Sequence, residues 1–226
     1  MFANKKQIVG ALTRLGRRLT LMNAAECSLL VCGGSALNLI GLLDRPTRDV
    51  DVLGLVDDSQ ISKPRNTGIL SQVLPPEVVR AAQQVARDLN LPPNWLNDSA
   101  LEVQRLGLPP GILRRAHPRD FGPCLKVYLL GRKDLVALKL YAALDGQKGQ
   151  RHVKDLLVIR PTRSEMEFAM RWLLNRKTSL QFRRAVRAII AGLGFPKLQA
   201  TTTADLPPKA TRRPQPPRVK VVEDSL

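Results

Sequence analysis

The sequence predicts a mixed α/β fold of the α+β kind, with a sheet and its helices followed by a helical C-terminal subdomain. Three observations carry this prediction. Apolar runs of strand length occur at 28–32, 49–55 and 125–130, bounded by Gly, Asp, Pro and Asn. Longer segments between them repeat their apolar residues at helical spacing. Beyond residue 130 only helical patterns remain, and these cease near 199. The expected organisation is therefore a core over 1–130, a helical subdomain over 131–198 and a Pro-rich, basic, disordered tail over 199–226. A chain of 226 residues is long enough for this arrangement.

Taken in order, Ile8, Leu12, Leu15 and Leu19 mark a first amphipathic helix. Lys5, Lys6, Arg14, Arg17 and Arg18 run through that stretch and no small-residue cleavage site closes it, which favours a helix over a targeting peptide. Ser28 to Cys32 reads as a buried strand entering a tight turn at Gly33 and Gly34, and 35–43 as a short helix. The segment 49–55 alternates charge with apolar residues and then turns apolar, as a strand with one wet end would. A loop is expected over 57–66, then a helix over 76–89 opened by prolines and stopped by Pro92 and Pro93. The Pro- and Gly-rich stretch 91–121 yields no regular pattern. A strand follows at 125–130, a helix at 131–144 with Asp134 near the positive end of its dipole, and helices near 151–159, 163–176 and 179–192.

The formal charge is +17 and the isoelectric point near 10.7. Positive charge is clustered. No acid occurs in residues 1–25, nor in 168–204, which carries Arg171, Arg176, Lys177, Arg183, Arg184, Arg187 and Lys197. A polyanionic partner is expected, with Arg183, Arg184 and Arg187 as candidate RNA-binding residues on one helix. Aromatic residues make up only 4%, so contact should be to backbone and shape and not by base stacking. No apolar run is long enough to span a membrane. Cys27, Cys32 and Cys124 have neither metal-ligand spacing nor an even count, and read as reduced core residues of a cytoplasmic protein. His117 and His152 lack a paired ligand motif and are expected to be structural or exposed.

The chemistry-bearing segment is Leu29-Leu30-Val31-Cys32-Gly33-Gly34-Ser35, followed by Thr47-Arg48-Asp49-Val50-Asp51-Val52. Side chains alternate along a strand, so Asp49 and Asp51 are expected to face the same way, about 7 Å apart. Two such carboxylates suit the divalent ions used in phosphoryl transfer. Backbone N–H groups of Gly33, Gly34 and Ser35, the following helix start and the Ser35 hydroxyl would cradle a triphosphate. Thr47 and Arg48 complete the candidate nucleotide-binding set. An EF-hand loop starting at Asp49 fails, because Leu53 and Gln60 stand where oxygen ligands are needed, and a Walker loop is absent.

The pattern apolar-Gly-Gly-Ser followed by Asp-Val-Asp-Val resembles the signature of polymerase-beta-type nucleotidyltransferases. It is most similar to the AbiEii/MenT-type toxins and related uncharacterised bacterial domains. Asp134 to Leu140 resembles their lysine-bearing helix, Arg151 to Leu156 their arginine-plus-aspartate helix, and Trp95 to Asp98 a local signature of the uncharacterised branch. The resemblance spans roughly 8–160 and implies a nucleotidyltransferase-like sheet. It implies that Asp49 and Asp51 bind metal, that Gly33, Gly34 and Ser35 contact nucleotide phosphates, and that Lys139 neutralises phosphate charge. Asp155 would complete the acidic cluster or orient the lysine. A third carboxylate, common in such enzymes, is not offered by 125–130, and Glu102 and Asp155 are the substitutes.

The expected function is transfer of a nucleoside monophosphate from an NTP, with two Mg2+ ions, to an RNA acceptor. The toxin resemblance implies a tRNA 3′ end as that acceptor and an antitoxin as partner. Two alternatives are a small-molecule nucleotidyltransferase of the same fold, disfavoured by the +17 charge because cationic acceptors need acidic pockets, and a catalytically silent nucleic-acid-binding module.

Overall fold

The computed structural model describes residues 1–61, 68–70, 73–145, 149–176 and 179–198. The tail expected from 199 onward, Lys177 and the end of the 57–66 loop lie outside the described residues, as does the side chain of Glu102.

Helix α1 (Lys5–Leu21) begins where the Asn4 side chain accepts from the Gln7 N–H at 3.2 Å. Ile8, Leu12, Leu15 and Leu19 are its buried stripe, as their spacing predicts. Strand β1 (Cys27–Cys32) runs directly into helix α2 (Gly33–Leu39). This helix starts and ends earlier than the expected 35–43. Gly33 enters it at φ +73 straight from the strand, and Gly41, at φ +79, lies just past its end. Strand β2 (Val50–Val56) follows, so Asp49 stands immediately before the strand and not within it.

The stretch that had no readable pattern holds short elements. After β3 (Ile69–Leu70) and α3 (Pro76–Leu89) come β4 (Leu96–Asn97), α4 (Glu102–Leu106) and β5 (His117–Asp120), with 3-10 turns at Ser99–Leu101 and Leu113–Arg115. Helix α3 stops at Asn90, which takes the left-handed conformation at φ 50, before the prolines expected to end it. Strand β6 (Leu125–Leu129) and helices α5 (Arg132–Ala142), α6 (Gly149–Ile159), α7 (Arg163–Leu174) and α8 (Leu180–Gly192) match the expected positions closely.

The fold is α+β. Its mixed sheet has the order β3-β2-β1-β6-β5, with β4 pairing to the start of β2. Strand β1 is antiparallel to β2 and parallel to β6, and β5 returns antiparallel on β6. The β1–β2 register shifts between Leu30 and Val31: Leu30 pairs with Gly54 but Val31 with Val52, leaving Leu53 unpaired. A bulge of this kind re-aims the side chains beyond it, and what lies beyond it is Asp51. Helices α1 and α3 pack together, α5 packs on both α6 and α7, α8 lies against α7 and α2 reaches α5. One continuous apolar core runs from Phe2 to Leu198.

Candidate active site

Antiparallel pairing brings the end of β1 to the start of β2, with Cys32 opposite Asp51. Gly33 therefore lies against the Asp51 side chain. A Cβ there would collide with the Asp51 carboxylate, and its φ is one that L side chains resist. Both constraints demand glycine. Gly34 is also close-packed, since a Cβ on it would stand 3.0 Å from Thr47 Oγ1.

Strand β4 lays Asn97 beside Asp51 in parallel register, and the Asn97 amide donates to the carboxylate. Asn97 Oδ1 is itself held by the Ser99 N–H at 3.1 Å, which fixes the amide's orientation. Burial pushes the Asp51 carboxyl up to about 6, and the charge of Asp49 adds to the rise. The Asn97 hydrogen bond and the charges of Lys139 and Arg151 oppose it. Two carboxylates are thus gathered close enough for the charge of Asp49 to act on Asp51. Hard oxygen donors in such a pair fit Mg2+, which takes one or two carboxylates and completes its shell with water and phosphate.

Gly33, Asp51, Lys139 and His152 line one pocket of about 210 Å3, whose other wall is apolar: Ala100, Val103, Leu135, Leu138 and Ala142. Lys139 is only 6% exposed. Its Nζ lies 2.8 Å from Asp155 Oδ2 and 3.3 Å from His152 Nδ1. Asp155 also receives a bidentate pair from Arg45, both bonds 2.8 Å. Burial alone would raise the Asp155 carboxyl, but the Arg45 hydrogen bonds and the Lys139 charge hold it below the ordinary value. Of the two roles open to Asp155, the geometry favours orienting the lysine. Among the described residues, no third His, Cys, Asp or Glu gathers with the Asp49–Asp51 pair as a metal cluster.

Ser35, Thr47, Arg48 and the three α8 arginines do not line the pocket. The Ser35 hydroxyl is fully buried and donates to the Cys32 carbonyl at 3.3 Å, so it closes the turn and is not offered to a phosphate. Thr47 is 2% exposed and directs its hydroxyl toward the Asp49 carbonyl at 3.5 Å, supporting the turn from below. Arg48 is exposed and lies next to the pair. His152 is half-buried, and burial and the Lys139 charge push it down to about 4, leaving a neutral imidazole against the lysine. Arg183 is half-buried and Arg184 and Arg187 are exposed on α8, and none of them lines the pocket.

Sequence reasoning missed Arg45, His152 and the role of Asn97. Asn97 lay within a quoted signature, while Arg45 sits in the Arg45-Pro46-Thr47-Arg48 run leading to the carboxylates. Its partner is 110 residues away, a pairing no local pattern reveals. Among the described residues no helix is long and apolar enough to cross a membrane. Comparison with protein-family models, curated proteins and solved structures finds no match to this chain.

Proposed function

We propose that this chain is a metal-dependent nucleotidyltransferase that moves a nucleoside monophosphate from an NTP to an RNA acceptor, with release of pyrophosphate. The observation that carries the reading is the pocket in which the Asp51 carboxylate, packed on Gly33 and raised by burial and by Asp49, faces the held ammonium of Lys139. Asp49 and Asp51 would hold two Mg2+ ions, which neutralise phosphate charge and activate the acceptor hydroxyl. Gly33 and Gly34, whose missing Cβ atoms make room for the Asp51 carboxylate and Thr47, would offer backbone N–H groups to the triphosphate. Lys139, fixed by Asp155 and His152, would meet the negative charge on the transferring group without first reorganising. The apolar wall would take the base.

The strongly basic chain favours RNA over a cationic small molecule as acceptor. A tRNA 3′ end and an antitoxin partner belong to this proposal through the sequence resemblance alone. The test is calorimetric titration of Mg·NTP into the parent, Asp49→Asn and Asp51→Asn, with melting curves to show that each variant folds. Binding should be lost or weakened at least tenfold in both variants. Undiminished binding in both would remove the metal-pair assignment.

A further inference from the structure

Beside the catalytic pocket, α7, the turn before β5 and the start of α5 gather more positive charge than their acids answer, since Asp134, Glu165 and Glu167 are each already held by an arginine. Pro110, Phe168, Arg171, Trp172, Asn175 and Arg176 line a second pocket of about 320 Å3. Its floor is fixed. Trp172 Nε1 donates to the Gly107 carbonyl at 2.9 Å, and the Arg176 guanidinium lies over Gly107, whose missing Cβ makes room for it. On the far side Lys133 Nζ sits 4.5 Å from the Phe168 ring centroid and the Arg115 guanidinium 5.2 Å from it. Guanidinium nitrogens of Arg114 and Arg115 both come within 3.1 Å of the point where a Gly111 Cβ would stand, so two like charges are held side by side.

Both oxygens of Asp134 are committed to Arg115, at 2.8 and 2.7 Å. Arg114, Arg171 and Arg176 have no ion-pair partner among the described residues. Such a set of exposed, unneutralised guanidinium groups creates a positive potential that an anion would relieve. Helix α5 touches the walls of both pockets. Tyr141, next to Ala142 of the catalytic wall, meets Trp172 edge to face at 6.2 Å.

We propose that this second pocket is a phosphodiester-binding subsite that anchors the RNA acceptor while its end reaches the catalytic pocket; the assignment of RNA as acceptor rests on the function proposed above. Trp172 is buried and the Phe168 ring is already engaged by two cations, so the site grips the backbone and does not stack a base. A repeating polyanion is favoured over an acidic peptide because α8, packed on α7, carries the exposed Arg184 and Arg187 on a 13-residue helix about 20 Å long.

The test measures fluorescence anisotropy of a short labelled single-stranded RNA with the full chain, between about 50 and 200 mM NaCl. It compares the parent, Arg171→Gln and Arg171→Gln/Arg176→Gln. The double variant should bind roughly tenfold more weakly, and its slope of log affinity against log salt should fall by about 0.7 for each phosphate no longer neutralised. Mg·NTP affinity should not change. Since Arg176 packs over Gly107, a double variant that melts early leaves the exposed Arg171→Gln to carry the test, with a slope reduced by about 0.7. Parental affinity and slope in the folded variants would overturn the subsite, as would displacement of RNA by poly-glutamate as readily as by unlabelled RNA. Loss of RNA binding in the variants, with no nucleotide transfer by the parent, would leave the subsite standing and overturn the transfer reading.

Discussion

Asp155→Asn removes the charge on which the lysine side of the site depends. The Asp155 side chain is 4% exposed and Lys139 7%, so the carboxylate and ammonium form a buried pair, while Arg45 at 27% still reaches water. Breaking a buried pair by removing one partner typically costs about 3–5 kcal/mol, because the other charge is left uncompensated. Arg45 can be rehydrated and an asparagine keeps one acceptor oxygen, which points to about 3 kcal/mol. For a chain of this size that is a fall in Tm of about 6–12 °C. The pH dependence has a definite sign. Asp155 is held below its ordinary value, so its contribution is complete above the unfolded value near 3.9 and fades as pH falls through the lower folded one. Thermal melts should show a constant gap between parent and variant from about pH 8 to pH 5 that narrows below about pH 4. Lys139→Met in the same chain should recover part of the deficit, because the stranded ammonium is gone. A variant melting within about 1 °C of the parent at pH 7 would refute the claim that this carboxylate holds a buried lysine.

Asp51→Asn should stabilise the metal-free protein by about 3 kcal/mol at pH 8. Its carboxyl is raised to about 6, so the ionised form carries a cost that is fully present above pH 6 and disappears in acid; melts in EDTA at pH 8 and pH 4.5 check this, and equal Tm values at pH 8 would contradict it. Gly33→Ala forces a Cβ into the Asp51 carboxylate at a left-handed φ and should cost about 1–3 kcal/mol along with Mg·NTP binding; calorimetry showing parental affinity would count against the close packing. His152, pushed down to about 4, should show no imidazole titration in NMR spectra between pH 5 and 8. Its contribution to stability is present above the unfolded value near 6.5 and is lost as pH falls toward 4.

What could be read in advance followed from local periodicity. The stripe Ile8, Leu12, Leu15 and Leu19 and the prolines opening α3 carry their own structural instructions, and both helices form as their residues dictate. Gly33 and Asp51, which the fold packs together, stood out because the glycine pair and the Asp-x-Asp spacing combine short-range signals. Strand β5, His117–Asp120, was invisible for a physical reason: it is a sheet edge, mostly exposed, contains Pro118, and so has no apolar alternation to detect. Strand β4 is two residues long, held in place by Trp95, whose Nε1 donates to the Ala82 carbonyl at 2.9 Å. The Arg45–Asp155–Lys139–His152 network escaped because its members come from α5, α6 and the α2–β2 loop. Lys139 on a helix looks the same in sequence whether solvated or buried, and only the fold decides.

Transfer of the α-phosphoryl group with its nucleoside is the chemistry proposed for the carboxylate pair, and the position of a label tests it most directly. Incubation with RNA, Mg2+ and each NTP labelled at the α- or γ-phosphate distinguishes the chemistries. The expected result is magnesium-dependent incorporation of the α-label into RNA from at least one NTP, with γ-label recovered as pyrophosphate and both signals lost in Asp51→Asn. Incorporation of the γ-label, no incorporation from any NTP, or undiminished α-label transfer by Asp51→Asn would contradict it.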